Sequence, residues 1–131
     1  MSEENVELVR RMIDAWNRGD ITGWASCLDK EVKWFPLAEN PQTEPVHGVD
    51  AVLEFVADWV EPWDELKIEV TRIVDAGDWV VIAGRQTARH ESGAEISMEN
   101  YVASAFRDGK VVESRWFMNE SDALDVAGVR E

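Results

Sequence analysis

A single cysteine, Cys27, is all the thiol chemistry that 131 residues hold. No disulfide can close within the chain, and no cysteine metal cluster is open to it. Read on one helical segment with Trp24 and Leu28, Cys27 is a buried structural thiol. A nucleophile would need a base and an electropositive setting that its neighbours do not supply. Histidine is nearly as scarce. His47 and His90 are the only two, no histidine–carboxylate cluster has ligand spacing, and no metal is expected. A Gly-rich phosphate loop and a nucleophile elbow are both missing, so no cofactor is expected either. No apolar run approaches the length of a membrane-spanning helix. The acidic start, Met1-Ser2-Glu3-Glu4-Asn5, lacks the basic flank and apolar core of a secretory signal. These features lead us to expect a soluble, cytoplasmic protein. Positive charge is in short supply as well: 13 Lys and Arg face 27 Asp and Glu, a formal net charge of −14. Such a field repels a phosphate backbone and an acidic bilayer alike, so neither nucleic acid nor a membrane is an expected partner. Most of the carboxylates read as a solvated surface.

What is present reads as one domain, long enough to bury a core of its own. Glu3 to Arg18 carries Val6, Val9, Ile13 and Trp16 at the spacing of one helix face, widened by Leu8 and Met12. Ser2 suits the N-cap and Gly19 the first position past the end. Asp20 then caps a short second helix with Ile21, Trp24 and Leu28 on one side. Glu31 to Phe35 reads as a strand with Val32 and Trp34 sharing a face. The stretch Pro36 to Gly48, with Pro36, Pro41 and Pro45, reads as a loop, and its Glu39 and Glu44 are placed to reach over whatever lies beneath. Val52, Leu53, Val56, Trp59, Val60 and Trp63 mark a third helix that ends near Glu61-Pro62.

From Glu65 to Met118 the chain alternates like four long strands. The turns are Asp75 to Asp78, Glu91 to Gly93 and the strong hairpin pair Asp108-Gly109. Ser121-Asp122 starts a short C-terminal helix that stops at Gly128. No repeat or linker divides the chain. The expected fold is α+β: a cone in which three N-terminal helices pack in a curved mixed or antiparallel sheet, followed by a short C-terminal helix.

Four segments carry a family likeness. They are Leu8 to Asp20 (LVRRMIDAWNRGD), the His47-Gly48 step, Phe106 to Val111 (FRDGKV) and Asp122 to Gly128 (DALDVAG). In this order and spacing they resemble the NTF2-like superfamily, and within it the SnoaL-like group, which is itself similar to ketosteroid isomerase. The resemblance implies the same cone and a homodimer joined through the outer face of the sheet. It does not by itself imply one activity, because the superfamily holds isomerases, cyclases, hydrolases, dehydratases and proteins without chemistry. Ketosteroid isomerisation needs a carboxylate base and an oxyanion hole of Tyr and protonated Asp. The family pattern puts those three positions at Met12, at or beside Trp34, and near Val102, none of them ionisable. Epoxide hydrolysis in the superfamily uses two carboxylates and an arginine on the sheet. Here Arg85 shares its face with Ala83 and Thr87, and no Asp joins them. The acid/base Asp of the SnoaL-type cyclases has no evident counterpart on an inward position.

Period two then sets which side chains face the cone. If Val102 does, so do Met98, Asn100, Ser104 and Phe106, with Ile82, Gly84 and Gln86 on one neighbour and Ser114, Trp116 and Met118 on the other. Trp16, Trp34, Phe55 and Trp59 would join them from the helices and first strand. The result is an aromatic, thioether-rich interior broken only by Asn100, Gln86 and Ser104, which suits an apolar or ring-shaped ligand; plain core packing is the simpler reading of any one Trp or Met. The opposite face, with Val81, Ala83, Tyr101, Ala103 and Ala105, is flat enough for a second copy. His47 is the foremost ionisable candidate, placed before the third helix at the mouth; a structural hydrogen bond is its plainer role. His90 reads as an exposed turn residue. Two functions stay open: an enzyme acting on an apolar cyclic metabolite with His47 as base, and a non-catalytic homodimer that holds such a metabolite or only packs.

Overall fold

The structure, a computed structural model, describes residues 2–36 and 44–129; Glu39 and Pro41 lie outside the described residues. The first amphipathic stretch forms α1 (Ser2–Asn17), which buries Leu8, Val9, Ala15 and Trp16. It closes in a Schellman turn. Gly19 takes φ +75°, its N–H reaches the Trp16 carbonyl at 3.0 Å, and the Asp20 N–H reaches the Ala15 carbonyl at 2.8 Å. The Asp20 carboxylate then accepts the Gly23 N–H at 2.8 Å and starts α2 (Ile21–Ala25). That helix stops sooner than its sequence suggests. Cys27 sits in the turn after it, half-buried, because the chain is already leaving toward β1 (Leu28–Phe35).

The expected loop before the third helix also needs correction. Its last residues form β2 (Val46–His47), a two-residue edge strand antiparallel to β1. Helix α3 (Val49–Val60) follows. Trp63, expected on that helix, instead opens β3 (Trp63–Ala76), because Pro62 cannot donate the next helical hydrogen bond. Then come β4 (Trp79–His90), β5 (Glu95–Arg107), β6 (Lys110–Phe117) and α4 (Glu120–Val126). At the β5–β6 hairpin both Asp108 and Gly109 have positive φ, 54° and 74°, the pairing that matches strand twist. The α4 helix is capped by Asn119, whose side-chain Oδ1 accepts the Ser121 N–H at 2.8 Å.

The six strands form one curved sheet in the order β2-β1-β6-β5-β4-β3. It is mixed, because β1 runs parallel to β6 while the other neighbours are antiparallel. The helices α1, α2 and α3 pack in its concave side, around Val32, Val52 and Val80, which are fully buried. The α1 helix is pinned to the free edge of β3 by the Asn17 side chain, and Lys67 Nζ of β3 donates to the Asn17 backbone carbonyl. Asn17 donates to the Ile68 carbonyl at 3.0 Å and accepts the Ile68 N–H at 2.8 Å. It does for that residue what a seventh strand would do, which blunts an exposed edge.

The convex side carries a second, smaller core. Here α4 lays Ala123 and Leu124 over Val81, Ala103 and Phe117. The α4 helix therefore covers Val81 and Ala103, two residues of the face that the sequence presents as flat. Beyond it, Tyr101 and Ala83 border a shallow depression with Arg72, Arg85, Glu99 and Glu120. Desolvation, reinforced by the neighbouring charge of Glu99, raises the Tyr101 phenol above its ordinary value of 10.0.

Replacing Asn17 by Ala should lower the unfolding free energy by about 1–3 kcal/mol, the loss of a two-point hydrogen-bonded clasp, as read by a urea titration. Tyr101 is the only tyrosine, so phenolate absorbance reports it alone. Its midpoint should lie above 10.0 and fall toward it in Glu99→Gln. Because the folded state holds this proton more tightly, stability should decline as pH rises past 10.0 and through the folded-state midpoint.

Candidate functional site

Two adjoining cavities lie between the concave face and the helices, and Trp34, Gln86, Asn100 and Trp116 belong to the walls of both. The inner one is small, about 70 Å³, and is lined by residues that include Met12 and Ile13 of α1, Ile68 of β3, Ile82 and Gly84 of β4, and Val102 and Ser104 of β5. The outer one is about 360 Å³ and is walled by Trp16, Phe55, Trp59, Met98, Phe117 and Met118, among others. The larger volume falls in the range of small-molecule sites; the smaller has room for a few waters or one ring substituent. Met118 is 56% exposed and Phe55 38% exposed, so they mark the open end.

The walls follow from strand register. Ile82 pairs with Val102, Gly84 with Asn100 and Gln86 with Met98 on one side; Val102 pairs with Trp116 and Ser104 with Ser114 on the other. Period two turns all of these to one face. The inner pocket exists partly because Gly84 contributes only backbone. A Cβ there would come 3.2 Å from the Glu69 carbonyl oxygen and 3.4 Å from Ile68 Cγ2. The aromatic wall is continuous: Trp16–Trp24, Trp24–Trp34 and Trp34–Trp116 each have ring centroids 5.4 Å apart, at interplanar angles of 64°, 83° and 45°.

Polar atoms in this setting are few, and several lack partners. The Ser104 and Ser114 hydroxyls satisfy each other at 3.3 Å. Asn100 donates to Gln86 Oε1 across a longer 3.4 Å. Among the described residues, five buried side-chain atoms have no hydrogen-bond partner: Nε1 of Trp16, Trp34 and Trp116, Nε2 of Gln86 and Oδ1 of Asn100. All five belong to residues that line the outer cavity. Each unmet group costs about 1–3 kcal/mol, and neighbouring side chains cover the atoms themselves.

None of the described residues lining either cavity has an ionisable side chain. The three positions at which the family resemblance would place an isomerase's base and oxyanion hole, Met12, Trp34 and Val102, all lie on the inner wall. Arg85 points away, exposed on the convex face with Glu99 at 3.5 Å. Among the described residues, no three His, Cys, Asp or Glu side chains gather as metal ligands would. No helix among them is long and apolar enough to cross a membrane.

Of the side chains that the sequence places in the interior, Met12, Ile82, Val102 and Ser104 line the inner pocket. Trp34, Gln86, Asn100 and Trp116 line both cavities, and Trp16, Phe55, Trp59, Met98 and Met118 line the outer. His47 is not among them. It pairs with Lys33 in β2, opposite in phase to Val46, which pairs with Trp34. Its ring is 61% exposed, with Nε2 3.3 Å from Glu31 Oε2. His90 closes its own turn, where its Nδ1 accepts the Ser92 N–H at 3.1 Å. Sequence reasoning left out several lining residues, Trp24, Ile68 and Pro36 among them. The first two were legible as parts of their own apolar stripes; Pro36 meets the wall directly after the end of β1.

A family model for the SnoaL-like domain matches residues 9–114. No curated protein matches the chain in sequence. Among solved structures, a proposed SnoaL-like polyketide cyclase from Jannaschia sp. CCS1 is 24% identical, with 95% of this chain and 91% of that one covered and a TM-score of 0.77. AclR, a proposed hydroxylase from Streptomyces galilaeus, is 24% identical over 98% and 97% of the two chains, with a TM-score of 0.76. TerC, co-crystallised with polyporic acid, is 17% identical over 95% and 98%, with a TM-score of 0.75. At these identities the likeness is one of fold.

Proposed function

This chain belongs to the SnoaL-like domain family, and from that premise we propose that it binds an apolar, ring-shaped small molecule in the outer cavity without transforming it. The carrying observation is the wall itself: Trp16, Trp34, Trp59, Trp116, Phe55, Met98 and Met118 supply flat and deformable apolar surface, and among the described residues no lining side chain gives or takes a proton near neutrality. Such a site gains affinity from burial and ring stacking and gains orientation from a few amides and indoles. TerC, a protein of the same fold, was itself co-crystallised with a small organic acid, which agrees with small-molecule binding here.

The rival function, an enzyme with His47 as base, has less support. The imidazole is on the far side of β1 from Trp34 and is engaged with Glu31. A general base must come within hydrogen-bond reach of the proton it removes.

Heat unfolding followed by tryptophan fluorescence, against steroids, aromatic polyketides, terpenes and fatty acids, tests the proposal. One ring-containing class should raise the midpoint with concentration, by about 2.7 kcal/mol of added stability at a hundredfold excess over Kd. His47→Ala should keep that shift, and Trp59→Ala, cut at the mouth, should weaken binding about tenfold or more. No shift with any class, or loss of binding in His47→Ala, would sink the proposal.

A further inference from the structure

The depression around Tyr101 lies on the convex side of the sheet, across from both cavities, and has a volume of about 290 Å³. Strand register explains it. Ala83 of β4 stands between Arg72 of β3 and Tyr101 of β5, and in the next outward row Arg85 stands between Glu69 and Glu99. The floor is thus a methyl group and the Gly84 backbone, with long side chains around it, and α4 adds Glu120 to the rim. Four rim groups carry charge, two of each sign. Arg85 meets Glu99 and Arg72 meets Glu120, each at 3.5 Å, and the Tyr101 hydroxyl donates to Glu99 at 3.4 Å. These contacts are longer than well-formed hydrogen bonds. Arg89, farther along the same face of β4, closes on Glu65 to 2.8 Å. The four charged side chains are 37–61% exposed, so a solute reaches each of them. The Tyr101 phenol, raised above 10.0, keeps its proton at neutral pH and remains a donor.

We infer that this depression is a second binding site, separate from the concave cavity, and that it takes a small zwitterion of amino-acid size. The charges on its rim cancel. A simple anion drawn to the arginines also meets Glu99 and Glu120, and a simple cation drawn to the glutamates also meets Arg72 and Arg85. Each favourable contact is then offset by one between like charges. A molecule with a carboxylate and an ammonium a few bonds apart satisfies both sets. Its carboxylate accepts from planar guanidinium forks, and its ammonium donates to the glutamates. Long contacts between neighbours are exchanged for charge-assisted hydrogen bonds to the guest. The chain's charge of −14 does not repel such a guest, which is neutral as a whole. The volume lies at the lower end of small-molecule sites and suits a molecule of this size.

Three probes of like size separate the cases: β-alanine carries both charges, propionate only the negative one and propylammonium only the positive one. Each is titrated into the intact, isotope-labelled protein at neutral pH and matched ionic strength. The readout is the arginine Nε–H resonances and the ring resonances of Tyr101, the only tyrosine. β-Alanine should move the signals of Arg72, Arg85 and Tyr101 saturably. It should bind about tenfold more tightly than either probe of single charge. Arg85→Gln and, independently, Glu120→Gln should each weaken β-alanine binding about threefold, with the circular dichroism of the folded protein kept. No saturable shift with β-alanine, or equal responses to the three probes, would overturn the proposal and leave these residues as solvated ion pairs. A light-scattering mass of two chains, with the Tyr101 ring shielded from a soluble paramagnetic probe, would place a second copy on this face and overturn it as well.

Discussion

The four indoles of Trp16, Trp24, Trp34 and Trp116 join α1, α2, β1 and β6 in one column, with two edge-to-face contacts and one tilted contact. The position of the helices on the concave face depends on this contact. Large rigid rings at 5.4 Å spacing cannot collapse toward one another as aliphatic side chains would. They hold helix and sheet apart at the open end, and the space between them is the outer cavity. The same residues thus build the core and keep it from filling.

The electrical organisation follows a like division. A charge of −14 is carried on surfaces turned to water, where ion pairs such as Arg89 with Glu65 at 2.8 Å are half-exposed and contribute little stability. Among the described residues, the cavity walls hold only neutral side chains. An active site of the acid–base kind needs a charge or a proton carrier brought into such an interior, at considerable desolvation cost. The lining residues bring none.

Much of this could be read from residue order. Alternation located β4 and β5 at their true bounds, and parity alone placed Gln86, Asn100, Val102 and Trp116 on one face, because a pleated strand leaves no other choice. Legibility failed where local pattern and long-range pairing compete. Val46-His47 has no strand signature of its own and becomes β2 only because β1 offers an edge. That pairing also fixes the phase of His47 and turns it outward, a fact that no local pattern carries. Trp63 continued a helical stripe until Pro62 broke it. The outer face looked free because an amphipathic α4 does not announce where it will land. The unmet indole donors were invisible too, since hydrogen-bond accounting needs coordinates.

Gly84 gives the cavity an adjustable floor. The inner compartment reaches β3 and β4 because this position offers backbone alone, close against Glu69 and Ile68. A methyl group or larger would have to press on the edge strand or occupy the compartment. Depth is therefore encoded at one position in the middle of the sheet, while the width of the entrance is encoded elsewhere, at Phe55, Trp59 and Met118. A lineage built on this scaffold can change how long a guest it admits and how wide a guest it admits by separate mutations. Divergence among its descendants need not pass through forms that have lost the entrance.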